Sequence, residues 1–111
     1  MSRAVQAGNI LYISATAASG PEGTLVGGDL YTQTCFILRM LGTVLSEAGL
    51  TYEDVVQNRL YVTDMSRWNE AGRVHGEIFG EIRPGLALLH VLPLLDPKMP
   101  IEIEITAVKC S

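Results

Sequence analysis

The chain has 111 residues, 48% hydrophobic and 18% charged, enough for one packed core and not for two, so residues 1–111 are read as a single domain. A formal charge of -4, a pI near 5.0 and no run of Lys or Arg exclude a general nucleic-acid binder, and nucleic acid is not expected as a partner. No stretch approaches the roughly 20 apolar residues of a membrane span, and the opening segment is broken by Gln6, Gly8 and Asn9, so no membrane partner is expected and a cytoplasmic location is the default.

Ala4 to Ala7 and residues 10–14 flank Gly8-Asn9, a pair able to take positive φ, and predict a β-hairpin. Residues 15–28 carry Gly20, Pro21, Gly23, Gly27 and Gly28 and predict a long loop, a candidate rim for a site. Asp29 can cap a helix whose apolar positions, from Leu30 through Thr34, Ile37, Leu41 and Leu45, recur at three and four, with Gly49 as its stop. The run 55–63 alternates: Asn58, Leu60 and Val62 share one side, Arg59, Tyr61 and Thr63 the other.

A second helix follows, capped by Asp64 or Ser66. Its stripe holds Met65, Trp68, Ala71, Val74, His75, Ile78 and Phe79, and Gly72 within it marks close packing. Residues 86–91 form a strong strand on which Leu86, Leu88 and His90 share a face. Pro93, Pro97 and Pro100 then lead to Ile101–Val108. There Ile101, Ile103, Ile105 and Ala107 alternate with Glu102, Glu104 and Thr106, the pattern of a strand with one face in a core.

The predicted order is β-β-α-β-α-β-β, an α+β fold with a mixed sheet and both helices on one face. The other face is left bare. Together with a mean hydropathy of +0.25, it suggests closure by association of identical copies. Cys35 and Cys110 fit neither a disulfide framework nor a metal spacing and are read as free thiols. No metal and no cofactor are expected.

These residues resemble the YjgF/RidA family of reactive-intermediate deaminases, also described as L-PSP endoribonucleases. The resemblance covers nearly the whole chain. It rests on Ser2-Arg3-Ala4-Val5 before Gly8, Tyr12-Ile13-Ser14, Gln33-Thr34, Ala48-Gly49-Leu50 and Asp54-Val55-Val56. It continues through Tyr61-Val62-Thr63-Asp64-Met65, Phe79-Gly80, Arg83-Pro84 and Ile101-Glu102-Ile103-Glu104.

The resemblance implies a homotrimer of chorismate-mutase-like fold with clefts between subunits. In the family's active deaminases an Arg after a Pro in the penultimate strand clamps a substrate carboxylate, and the first Glu of the last strand positions the attacking water. Here Glu102 and Ser14 match, but Leu86 stands at the arginine position, Gly72 at an asparagine and Ala15 at a glycine.

The expected site therefore has Glu102 as the water-positioning base, with Ser14, Ala15, Leu86, Leu88, His90 and Arg83 lining it. Arg83 or Arg59 is the candidate to replace the missing guanidinium, and Arg59 is placed to pair with Glu102 or Glu104. The expected function is a trimer that binds a small metabolite in its clefts, as a divergent enamine or imine deaminase or a related hydrolase. The alternative is a non-catalytic trimer that senses a ligand or binds a protein. An endoribonuclease rests on the family's description alone.

Overall fold

A computed structural model of the protein describes residues 3–19, 27–93 and 98–109. The alternating C-terminal segment is a strand lodged in the middle of a five-stranded sheet. The elements are β1 (Ala4–Ala7), β2 (Ile10–Thr16), α1 (Leu30–Glu47), β3 (Val55–Val62), α2 (Trp68–Phe79), β4 (Gly85–His90) and β5 (Ile101–Val108), and the sheet order is β1-β2-β5-β3-β4. All neighbours are antiparallel except β3 and β4, which run parallel because α2 carries the chain back between them.

Ile101, Ile103, Ile105 and Ala107 are wholly buried beneath the helices. Full burial of one such branched side chain is worth roughly 1.5–3 kcal/mol, so β5 alone anchors much of the core. From α1 the stripe Leu30, Thr34, Ile37, Leu38, Leu41 and Leu45 packs down on it, and α2 adds Ala71, Val74, His75 and Phe79.

The helix ends are built as the sequence predicts. The Asp29 carboxylate accepts from the Thr32 N–H at 2.7 Å, a bond that holds its pKa below the ordinary value. At the other end Gly49 turns at φ 76°. The Gly49 N–H then reaches the Ser46 carbonyl at 3.0 Å and the Leu50 N–H the Leu45 carbonyl at 2.9 Å, a glycine-terminated helix end.

Two boundaries and one side chain depart from expectation. Strand β2 continues through Ala15 to Thr16, which the sequence placed in the loop, because pairing with β5 resumes after a bulge and buries Thr16 against Ile103. Of that loop, residues 20–26 lie outside the described residues, as do Ser2, Pro97 and Cys110. The second helix is preceded by a 3-10 turn, Met65–Arg67, whose cap is Asp64 accepting from the Ser66 N–H at 3.0 Å.

Trp68 then opens α2 at its solvent side, 48% exposed, and does not join the core stripe. Its ring lies over Gly72, where an added Cβ would come within 2.7 Å of the indole, so the close packing expected at this glycine is against Trp68.

One polar pair sits inside the core. The Asn58 amide Nδ2 lies 2.9 Å from His75 Nε2, and the imidazole is tilted over the Phe79 ring with centroids 4.8 Å apart. In this orientation the amide N–H donates to Nε2, the arrangement of a neutral ring, and Asn58 Oδ1 has no partner among the described residues. Burial pushes the His75 pKa below its usual 6.5, in keeping with that form. A depressed histidine favours folding while it stays neutral, and the contribution is lost as protons bind the unfolded chain preferentially. Stability is therefore expected to fall as pH drops below about 6.5. Denaturation midpoints measured between pH 7 and 5 should show a smaller decline in His75→Gln than in the parent; equal slopes would remove His75 as the cause.

Candidate functional site

The strand alternation that buries four side chains of β5 turns Glu102, Glu104, Thr106 and Val108 to the face without helices. Register then sets who stands beside whom. Glu102 lies opposite Tyr61, Glu104 opposite Arg59, and Thr106 between Gln57 on β3 and Tyr12 on β2. From β4 the residues on this face are Ala87, beside Arg59, and Leu89, beside Tyr61. From β1 it is Val5, beside Tyr12.

Glu104 is held from two sides. Arg59 Nη1 lies 3.0 Å from Glu104 Oε1, and the Tyr61 hydroxyl donates to the same oxygen at 3.3 Å. Burial, followed by the charge of Glu104, raises the Tyr61 phenol, while Arg59 acts against it. Of the two partners expected for Arg59, the register selects Glu104.

Glu102 differs. Among the described residues it has no ion pair and no hydrogen-bond donor, and its partial burial raises the carboxyl pKa above the ordinary value. A carboxylate in this condition is suited to accept a proton.

The remaining expected site residues divide between two faces. Ser14 and Ala15 occupy the β2 bulge, which spans the level of Glu104 between the Ile13–Ile105 and Thr16–Ile103 pairs. Both are exposed. The Ser14 N–H donates to the Arg3 carbonyl at 2.8 Å, and the Ser14 carbonyl accepts from the Thr16 hydroxyl at 2.8 Å.

Leu86, Leu88 and His90 do not share the face of Glu102 within one chain. They pair in parallel register with Asn58, Leu60 and Val62, which point to the helices, so all three lie on the helix side of the edge strand. Leu88 packs against the core, Leu86 is exposed at the rim, and His90 Nε2 lies 3.3 Å from the Thr63 carbonyl. Within one chain these three therefore stand on the helix side of the edge strand, apart from Glu102.

Arg83, exposed and at φ 57°, donates its N–H to the Phe79 carbonyl at 2.9 Å. It lies outside β4 and makes no ion pair with Glu102 among the described residues.

A cation that the expected site left out is Arg3. It lies at the bend just before β1, and its carbonyl accepts from the Ser14 N–H. Counting back from the Gly8-Asn9 turn would have found it.

Four large apolar or aromatic side chains are exposed on or beside this face: Val5, Tyr12 and Leu89 by register, and Val56 at the irregularity between Val55 and Gln57. Among the described residues no group of three His, Cys, Asp or Glu is placed to hold a metal ion, Cys35 is a half-buried free thiol, and no helix is long and apolar enough to cross a membrane.

The fold and site together define an α+β protein with a sheet covered by helices on one side and, on the other, carboxylates set among apolar residues. Residues 1–109 match the family model described as Endoribonuclease L-PSP. The chain is 36% identical over 110 residues to a RutC family protein of Pyrococcus horikoshii, covering 97% of this chain and 86% of that one. It is 31% identical over 105 residues to a protein of Acinetobacter baylyi named 3-aminoacrylate deaminase RutC, covering 94% and 82%. A solved structure from Mycobacterium tuberculosis, described as a member of the YjgF/YER057c/UK114 family, superposes with a TM-score of 0.88 at 40% identity over 98% of this chain and 86% of that one. The chain belongs to the YjgF/RidA family.

The Arg59–Glu104 pair is solvent-exposed, and Arg59→Gln is expected to cost less than about 1 kcal/mol in chemical denaturation. The same change should raise the Tyr61 phenol pKa further, since Arg59 is the group drawing it down. A site-resolved NMR titration of Tyr61 that moved the other way would contradict the pairing.

Proposed function

We propose that the protein is a cytoplasmic homotrimeric hydrolase of the deaminase type, in which bare sheet faces meet and Glu102 positions water against the imine carbon of a small metabolite. The observation that carries this reading is Glu102 itself, partly buried, without an ion-pair partner among the described residues and raised in pKa, on a face that also exposes Val5, Tyr12 and Leu89. Apolar side chains beside carboxylates need a cover, and identical copies supply one that leaves seams for a ligand.

In the proposed reaction the water oxygen bonds to the C=N carbon while Glu102 takes one water proton and passes it to the nitrogen, giving a carbinolamine. Glu102 then carries the hydroxyl proton to the nitrogen as the C–N bond breaks, so that ammonia leaves and a C=O remains. An enamine enters the same route after protonation at carbon. The name of the Acinetobacter baylyi relative, 3-aminoacrylate deaminase, supports this chemistry. The net charge of -4 is against an endoribonuclease. A ligand-sensing trimer without turnover is the second reading, favoured by the hold of Arg59 and Tyr61 on Glu104, which ties one of the two carboxylates of the face to structure.

Two measurements test the proposal. Light scattering should give three times the chain's 12.0 kDa, and a monomer at working concentration would remove the clefts. Hydrolysis of 2-iminopropanoate, followed as ammonia release, should be catalysed, and Glu102→Gln should lower the rate by roughly 10²–10⁴-fold. Ligand-dependent thermal stabilisation without any turnover would select the sensing reading.

The same substitution has an expected stability signature. A carboxyl raised on folding opposes the folded state when ionised, a cost present above its folded pKa and absent below the unfolded value near 4.5. Glu102→Gln should therefore melt no lower than the parent at neutral pH, with the parent gaining on it as pH falls toward 4.5.

A further inference from the structure

Glu102 and Tyr61 stand directly opposite each other on β5 and β3, and side chains so paired lie about 4.5–5.5 Å apart at Cβ. Both are half-buried. On its other flank Glu102 has no partner in β2, whose pairing with β5 ends at Thr16–Ile103. Burial is the cause of the raised Glu102 carboxyl, and Tyr61 is the one side chain that strand pairing sets against it.

The hydroxyl of the same tyrosine goes elsewhere. It donates to Glu104 Oε1 at 3.3 Å, the oxygen that Arg59 Nη1 also meets at 3.0 Å. A phenol has a single proton to donate, so a bond to Glu104 withholds it from Glu102. Burial first, then the charge and the hydrogen bond of Glu104, raise the phenol; the charge of Glu102 adds to them and Arg59 acts against them. By register the other titratable group of this face is Tyr12 of β2, beside Thr106, whereas β4 supplies Ala87 and Leu89 and β1 supplies Val5.

We propose that Tyr61 is a positioning residue for Glu102: its ring shields the carboxylate from water, while Arg59 and Glu104 together keep its hydroxyl from donating to that carboxylate. The inference rests on the reading of Glu102 as the base that positions water, and it assigns what keeps this carboxylate able to accept a proton. A carboxylate that accepted the phenol's hydrogen bond would be favoured in its charged form and be a weaker base. Glu104, on this account, acts through Tyr61.

The test titrates the Glu102 side-chain carboxyl by carbon-13 NMR in the full chain, with circular dichroism to confirm that each variant is folded. Tyr61→Phe keeps the ring and should leave Glu102 raised; Tyr61→Ala removes it and should bring the midpoint down toward the ordinary value near 4.5. Glu104→Ala frees the hydroxyl. It should lower the Glu102 midpoint further than the double variant Tyr61→Phe with Glu104→Ala, in which the same charge is lost and no hydroxyl is present.

In imine hydrolysis Tyr61→Ala should move the acid limb of the pH–rate profile to lower pH and reduce kcat about tenfold, with Tyr61→Phe doing neither. A Glu102 midpoint unmoved by Tyr61→Ala, or equal in Glu104→Ala and its double variant, overturns the proposal; if Tyr61→Ala does not fold, the second comparison decides. The expected titrations without imine hydrolysis by any variant would leave this inference standing and remove the hydrolase reading. Turnover that depends on Glu102 while its midpoint ignores Tyr61 would do the reverse.

Discussion

The structure depends on the two-residue period of β5. Because this strand lies between β2 and β3, its inward side chains fill the middle of the core and its outward ones the middle of the opposite face. One register thus sets both stability and chemistry. A slip by a single residue would exchange isoleucines for glutamates, placing carboxylates under the helices at a cost no local repacking could offset. The position of Glu102 is for this reason as firmly specified as that of Ile103.

Where the sequence carried contrast between neighbouring positions, the fold could be read from it. Asp29 and Gly49 bracket α1 as expected, Gly8-Asn9 turns the first hairpin, and the split of β3 into an Asn58-Leu60-Val62 side and an Arg59-Tyr61 side is the one observed. Contrast is what β4 lacks. Leu86, Ala87, Leu88 and Leu89 offer no polar face, so alternation alone cannot say which side meets the helices, and only parallel pairing with β3 decides it. Half of the expected lining came from that strand, so its face could not be read from alternation.

Trp68 illustrates a different limit. Its spacing from Ala71 and His75 suits a buried stripe, yet a residue at the first position of a helix projects beyond the core that the later turns cover. Gly72 supplies the room for the indole to lie back along the helix instead. The choice of Glu104 over Glu102 as the partner of Arg59 was beyond the sequence for a third reason. Both are on the same side of β5, and their assignment needs the pairing of two strands far apart in the chain.

Strand β4 closes the sheet on one side with an edge that contains neither a charge nor a proline from Gly85 through Leu89, the devices by which sheet margins usually resist further pairing. A newly made chain therefore offers a sticky backbone ribbon until something pairs with or covers it. Synthesis faster than that capping step would favour open-ended stacking over the finished particle, so overproduction in a foreign host is where this margin would declare itself, as insoluble protein from a sequence whose core is sound.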